Sequence, residues 1–411
     1  MLLKFSHKES NSPVAYCALT VKSGTRDEDP KYNGLAHFTE HMLFKGTLKR
    51  KSGSINACLE KVGGELNAYT TKEETVLHST VLAEDISKAI DLLFELAFTS
   101  TFPQKELEKE RDVVLDEIVS YKDMPGESIY EHFEQLLFEG SPLNMQILGE
   151  KKTLKRIDTQ VFLDYIKANF RPDNMALTVV CNMQKNKIEA IAHKALAKYC
   201  GGDVELEYIE EGALASNVKH HDAILKEGKK FDVSVHKKSH QAHCMIGTTA
   251  FSCYSKKRIV LAILTNILGG PASGALLNNS LREKHGLVYN VEAVYTPYAD
   301  NGIFSIYYGC DKEDIERCKA LIKAEVDKLV STPLKESVLK AAKKQLIGQM
   351  SIAQDNNESQ CLSMGKSLVV YGKISDFEQM KASIEAVSAQ QLQEVAKEVI
   401  SWDRMSFLVY N

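Results

Sequence analysis

The chain has 411 residues, with 51 Lys and Arg against 55 Asp and Glu and a formal net charge of −4. At about 150 residues per domain that length gives two or three domains and ample chain for a large core. Hydrophobic residues at 44% and charged residues at 26% are ordinary globular proportions, and the near-neutral balance offers no electrostatic case for nucleic acid or an anionic membrane.

Residues 1–11 carry Lys4, His7, Lys8 and Glu9 and no apolar run of signal-peptide type, so a cytoplasmic location is expected. The nine cysteines, from Cys17 to Cys361, are scattered without a CxxC pair, and their odd number leaves a free thiol. That usage fits a reducing compartment. Apolar, β-rich runs at 15–21 and 75–81 read as strands. Between them, Asn33 is placed to cap a helix and Gly46 to end it. Glu84-Asp85-Ile86 opens a helical pattern that runs to Pro103, and a second helix follows that proline. Residues 162–169 read as a helix leading into the strand-like 173–180. The most apolar stretch, 259–277, is broken by Asn266, Gly269-Gly270-Pro271 and Ser273; it reads as a buried helix ending in a glycine turn, not a bilayer span. A strand at 302–308, a helix from Glu313 to Pro333, a helix at 392–400 and a strand at 403–410 complete the series.

Several of these segments recur at one offset. Asp173-Asn174-Met175-Ala176-Leu177-Thr178-Val179-Val180 aligns with Asp403-Arg404-Met405-Ser406-Phe407-Leu408-Val409-Tyr410 at 230, and Glu84-Asp85-Ile86 with Glu313-Asp314-Ile315 at 229. Residues 59–63 echo 281–286. The repeat predicts two homologous halves: 1–202, and 228–411 after a charged linker at 203–227. Strands alternating with helices of ten or more residues imply an α+β class, a mainly antiparallel sheet with packed helices in each half.

The strongest chemical signal is His37-Phe38-Thr39-Glu40-His41. At this chain's His and Glu frequencies about 0.03 such matches arise by chance. On a helix, positions i, i+3 and i+4 share a face, so His37, Glu40 and His41 converge, while Leu35, Phe38 and Met42 form an adjoining apolar stripe. Two imidazoles one turn apart suit a small tetrahedral cation such as zinc (Zn2+), with the carboxylate close enough to act on a water. A third ligand is needed. The helix after Pro103 offers Glu106, Glu108, Glu110, Asp112, Asp116 and Glu117, and spacing alone does not choose between them. Glu110 and Glu117, seven apart, lie on one face. The triad His236, His240 and His243 is set aside as a second metal site, because strand alternation separates neighbours and no acid accompanies it. Gly269-Gly270-Pro271-Ala272-Ser273-Gly274 lacks the Lys and Ser/Thr of a phosphate loop.

HxxEH is the inverzincin signature. Together with Gly63-Gly64-Glu65-Leu66-Asn67-Ala68-Tyr69-Thr70, the run Glu110–Glu117 and Leu281-Arg282-Glu283-Lys284-His285-Gly286-Leu287-Val288-Tyr289, it makes the whole chain resemble the pitrilysin–insulinase (M16) zinc peptidases. The likeness is to the short branch, which includes the mitochondrial processing peptidase subunit and its bacterial homologues. The resemblance implies His37, His41 and Glu117 as zinc ligands, Glu40 as general base, and Glu110 as a carboxylate supporting a ligand imidazole. It implies Asn67 and Ala68 on a substrate-binding edge strand. It also implies Arg282 and Tyr289, from the second half, holding the substrate carbonyl and stabilising the oxyanion. The second half would lack metal ligands: the offset from Glu117 lands near Ile347, and 268–277 contains no histidine. The implied function is a zinc endopeptidase for short or unfolded peptides, its halves enclosing a substrate chamber and hinged at the linker. The expected assembly is a homodimer, with a heterodimer as the alternative, and no nucleic-acid or membrane partner. A non-catalytic peptide-binding subunit is the rival, disfavoured because every residue of the implied set is present.

Overall fold

The computed structural model describes the chain except for 203 and 214–224. Strands β1 (Leu2–Glu9) and β2 (Val14–Val21) lead to helices α1 (Leu35–Leu43) and α2 (Ser52–Glu60), then the hairpin β3 (Glu65–Thr70) and β4 (Thr75–Leu82). Helices α3 (Ile86–Thr99), α4 (Gln104–Lys122), α5 (Pro125–Leu137), α6 (Lys151–Leu154) and α7 (Thr159–Asn169) precede β5 (Met175–Cys181), α8 (Lys185–Cys200) and β6 (Glu205–Tyr208). The chain continues through β7 (Asp232–Val235), β8 (Ala242–Ala250), α9 (Arg258–Gly269), β9 (Val288–Pro297) and β10 (Gly302–Cys310). It ends with α10 (Ile315–Ser331), α11 (Glu336–Ala353), α12 (Asn357–Tyr371), α13 (Phe377–Glu385), α14 (Ala389–Val399) and β11 (Ser406–Tyr410).

Two sheets result, of order β3-β4-β2-β5-β1-β6 and β9-β10-β8-β11-β7. In both, the last two repeat-related strands pair in parallel (β1 with β5, β7 with β11) and the rest of the shared pattern is antiparallel. The same strand order therefore recurs along the chain, and the fold is the expected α+β duplication. β5 and β11 follow helices α7 and α14, as the sequence repeat requires.

The chain forms two compact units. The first holds Met1–Val119, Ile352–Asp376 and the described residues of Met145–Val218; the second holds Ser120–Asn144, Phe377–Asn411 and the described residues of Lys219–Ser351. Each unit thus takes one helix from the opposite half of the sequence: α12 in the first, α5 in the second.

Alternation explains how the first unit's sheet carries two cores. Leu3, Phe5, Cys17, Leu19, Leu77, Leu177 and Val179 point to the face covered by α1, α3, α7 and α8, while Ala18, Val76, Ala176 and Val180 point to the other and meet Cys361, Met364 and Leu368 of α12. β5, covered on both faces, is apolar nearly throughout and fully buried. Gly365 lets α12 lie close on β2: a Cβ there would sit 2.3 Å from Thr20 Oγ1. In the second unit, α9, α10 and α14 cover one face through Leu261, Leu264, Ile322 and Leu392. Ile129, Phe133 and Leu137 of α5 cover the other against Met245, Ile303 and Leu408.

Two sequence expectations change. Residues 205–208, placed in a linker, form β6 and extend the first sheet by pairing with β1. Four residues with alternating Glu205, Leu206, Glu207 and Tyr208 are too short and too acidic to read as a strand without their partner. The rest of the expected linker and hinge lies partly outside the described residues, at 203 and 214–224. In addition, the helix bearing HxxEH is not capped by Asn33 and ends before Gly46, as described below.

Candidate metal centre

Helix α1 begins at Gly34, whose φ of +96° is in the left-handed region. A Cβ at this position would lie 2.8 Å from the Leu148 carbonyl oxygen, so both the backbone and the space require glycine. The first-turn N–H groups are taken by a remote acid. Buried Glu28 accepts from Gly34 N at 2.8 Å and Ala36 N at 2.6 Å, and its Oε2 also accepts from Asn33 Nδ2 at 3.0 Å. Asn33 therefore props the capping carboxyl group instead of capping, and the Glu28 oxygens satisfy the helix's first free N–H groups. The helix stops at Leu43, with Phe44 as its cap residue. Leu35, Phe38 and Met42 are buried in the core as the apolar stripe predicts, with Phe38 edge-on to Phe162. That packing fixes the rotation of the opposite face.

On that face the His37 and His41 rings stand 4.6 Å apart. Helix α4 approaches with Leu107, Val114 and Ile118 buried. Glu117 Oε2 lies 3.7 Å from His37 Nε2 and 3.6 Å from His41 Nε2. Among the described residues, His37, His41 and Glu117 are the group whose ligand atoms, all within 4.8 Å of one another, could hold a metal ion. Bonds of 2.0–2.2 Å in a tetrahedron separate ligand atoms by about 3.3–3.6 Å, so the donor set fits zinc. Burial, and then the neighbouring His41, push the His37 pKa down to about 3, which keeps this imidazole neutral with a lone pair to donate. The other acids of α4 divide by environment: Glu106 pairs with Lys109 at 3.0 Å and Glu108 meets Gln104 at 3.0 Å, both at the surface, and Asp112 and Asp116 are exposed.

Glu110 is buried and faces His41: its Oε1 is 2.9 Å from Nδ1, and its Oε2 pairs with Lys45 Nζ at 2.6 Å. A carboxylate behind an imidazole fixes its tautomer and raises its basicity. Glu40 Oε2 accepts from Thr70 Oγ1 at 2.7 Å. Burial raises the Glu40 pKa, opposed by the Thr70 hydrogen bond and by His41, while Glu117 raises it further. Lys45 and Thr70 were not singled out from the sequence. Thr70 closes the motif at 63–70, but nothing in its local spacing points at Glu40.

Asn67 and Ala68 lie on β3, which among the described residues pairs only with β4 and forms one edge of the first sheet; their partners are His78 and Leu77. Asn67 is exposed and Ala68 is half-buried against the core. Arg282 and Tyr289 belong to the second unit. Arg282 sits exposed in a wide π-helical turn at Asn278–Lys284, and Tyr289, 60% exposed on β9, donates to Asp311 Oδ1 at 3.2 Å. His243 of the set-aside histidine triad bonds Tyr307 at 2.8 Å. In the second unit, α9 contains neither histidine nor an acidic residue and buries Ile263, Leu264 and Ile267.

Two sheets of one strand order, with the His37–His41–Glu117 cluster in one unit, define a two-unit α+β protein. The insulinase (peptidase family M16) model matches residues 5–151 and the M16 inactive-domain model residues 156–346; the chain belongs to peptidase family M16. It is 28% identical over 397 residues to an uncharacterized zinc protease, YmxG, of Bacillus subtilis (strain 168), covering 96% of this chain and 93% of that one. It is 25% identical over 405 residues to the human mitochondrial-processing peptidase subunit beta, covering 97% and 80%. Among solved structures, a peptidase M16 inactive domain from Pseudomonas fluorescens superposes with a TM-score of 0.84 at 20% identity, over 98% of this chain and 94% of that one. A protease from Helicobacter pylori also gives 0.84, at 18% identity, over 97% and 94%. Both share the fold.

Proposed function

We propose that this protein is a zinc-dependent endopeptidase acting on short or unfolded peptides. The observation that carries the reading is the convergence of His37 Nε2, His41 Nε2 and Glu117 Oε2 beside a carboxylate, Glu40, held by a hydrogen bond. Held by these three side chains, zinc would supply Lewis acidity, polarising a scissile carbonyl and making water nucleophilic at neutral pH. Glu40 accepts the proton of the attacking water and returns it to the leaving nitrogen. Glu110, neutralised by Lys45, orients the His41 imidazole. The free edge of β3 at Asn67 and Ala68 receives an extended peptide as an added strand, reading main chain more than side chains. Arg282 and Tyr289 keep the carbonyl-holding and oxyanion-stabilising roles that the family resemblance implies. Tyr289→Phe is therefore expected to lower kcat while zinc content stays that of the wild type, and an unchanged kcat removes that role.

The deciding experiment is cleavage of a quenched-fluorescence peptide library by the purified chain, with and without chelator, beside Glu40→Gln. Turnover should require metal, and Glu40→Gln should bind zinc but lose turnover by about 100-fold or more. Chelator-insensitive cleavage, or full activity in the variant, refutes the mechanism. The likeness to a processing-peptidase beta subunit favours a second reading, in which a different partner chain is needed. Robust cleavage by the single chain, as the expected homodimer, excludes it. Among the described residues no helix is long and apolar enough to cross a membrane, and a cytoplasmic site of action remains part of the proposal.

A further inference from the structure

We infer that Thr70 is a positioning residue for Glu40. The inference rests on the endopeptidase reading and concerns how the base is held. Glu40 is a long side chain whose carboxylate, left to itself, samples several rotamers. Thr70 Oγ1 donates to Oε2 at 2.7 Å, which commits one of the two carboxylate oxygens and so restricts the rotation of the group. The hydroxyl is itself held by a hairpin turn that is anchored on every side. Thr70 pairs with Thr75 at the last rung of β3 and β4. Beyond it, Thr71 N–H donates to the Glu74 carbonyl at 2.8 Å, and Thr71 Oγ1 accepts from the N–H groups of Glu73 and Glu74 at 3.2 and 3.1 Å. Gly24 packs so tightly on the turn that a Cβ there would lie 2.4 Å from the Thr71 carbonyl oxygen. Thr25 N–H and Arg26 N–H donate to the carbonyls of Thr71 and Lys72 at 3.2 and 2.9 Å. Arg26 pairs with Glu73, Lys72 Nζ reaches the Met145 carbonyl, and Lys366 pairs with Glu74 at 3.1 Å.

Thr70 is thus a fixed donor, not a mobile surface hydroxyl. It also stands on the strand whose free edge carries Asn67 and Ala68. One rigid element therefore holds the base and offers the main-chain groups that would set a peptide's register. Misplacing a catalytic group by about 1 Å is enough to cost two orders of magnitude in rate.

The test uses the purified, zinc-loaded full chain as wild type, Thr70→Val, Thr70→Ser and Glu40→Gln. Thr70→Val keeps the shape and removes the donor. We expect its kcat to fall about 10- to 100-fold with KM within about twofold, while zinc content and melting midpoint match the wild type and Thr70→Ser recovers most of the rate. A second readout needs no turnover: in crystals of zinc-free protein, Glu40 should hold one conformer in the wild type and Thr70→Ser and several in Thr70→Val. A Thr70→Val kcat equal to wild type overturns the assignment. So does a Thr70→Ser variant as slow as Thr70→Val, or a loss that travels with zinc content or melting midpoint. Failure of the wild type to show chelator-sensitive turnover, or an active Glu40→Gln, sinks the endopeptidase reading itself and the Thr70 role with it.

Discussion

Glu110 connects an ammonium to an imidazole: Lys45 Nζ on one oxygen, His41 Nδ1 on the other. Removing it should leave the three candidate ligands in place but free the His41 ring to turn. Glu110→Ala is therefore expected to weaken zinc binding about 10- to 100-fold, read by competition against a chelator of known affinity. Lys45→Met should act in the same direction and by less, since it leaves the carboxylate in place. Legibility at this scale follows chain distance. His37, Glu40 and His41 are readable because helical spacing alone puts them on one face; seven residues likewise put Glu110 and Glu117 on one face of α4 without singling them out from its other acids. Family resemblance, not spacing, selects Glu117 among the acids of α4. Thr70 and Lys45 escape because their contacts are made by a hairpin and by the exit from a helix, which no local periodicity encodes.

For the elements, the least legible detail is the start of α1. Capping rules look to the residue beside the helix and point to Asn33. The structure uses Glu28, five residues further upstream, with Asn33 as its prop. That geometry demands the left-handed turn at Gly34. Gly34→Ala should cost about 1–3 kcal/mol from backbone strain and the collision with Leu148, measured by denaturant unfolding, and should also weaken zinc binding by displacing His37. The long amphipathic elements, α3 and α10 above all, are legible from period alone, because each buries a wide apolar stripe: Ile86, Ile90, Leu93 and Ala97 in one, Cys318, Ile322, Val326 and Leu329 in the other. β6 is not. Its identity as a strand depends on β1 lying alongside, which is tertiary information.

At the scale of the whole molecule, the repeat was readable as two halves, but the trade of α5 for α12 was not. A helix pattern states that a face will be buried without stating against which sheet. The consequence is measurable. Residues 1–202 expressed alone lack α12 and expose the apolar face of Ala18, Val76, Ala176 and Val180. That fragment should aggregate, and co-expression with 203–411 should restore a soluble, zinc-binding pair recovered by affinity purification on either piece. Within the intact chain, Leu368→Ala should destabilise the protein by about 2–5 kcal/mol, because Leu368 is fully buried in the first unit although it lies in the second half of the sequence.

After a duplication, the copy that has lost its chemistry is ordinarily free to decay and disappear. Here a deletion removing either half would also strip one face from the sheet that remained, since each unit is completed by a helix encoded in the other half. Selection for folding alone therefore preserves both halves, whatever the second adds to catalysis. The exchange of two helices makes the duplication irreversible.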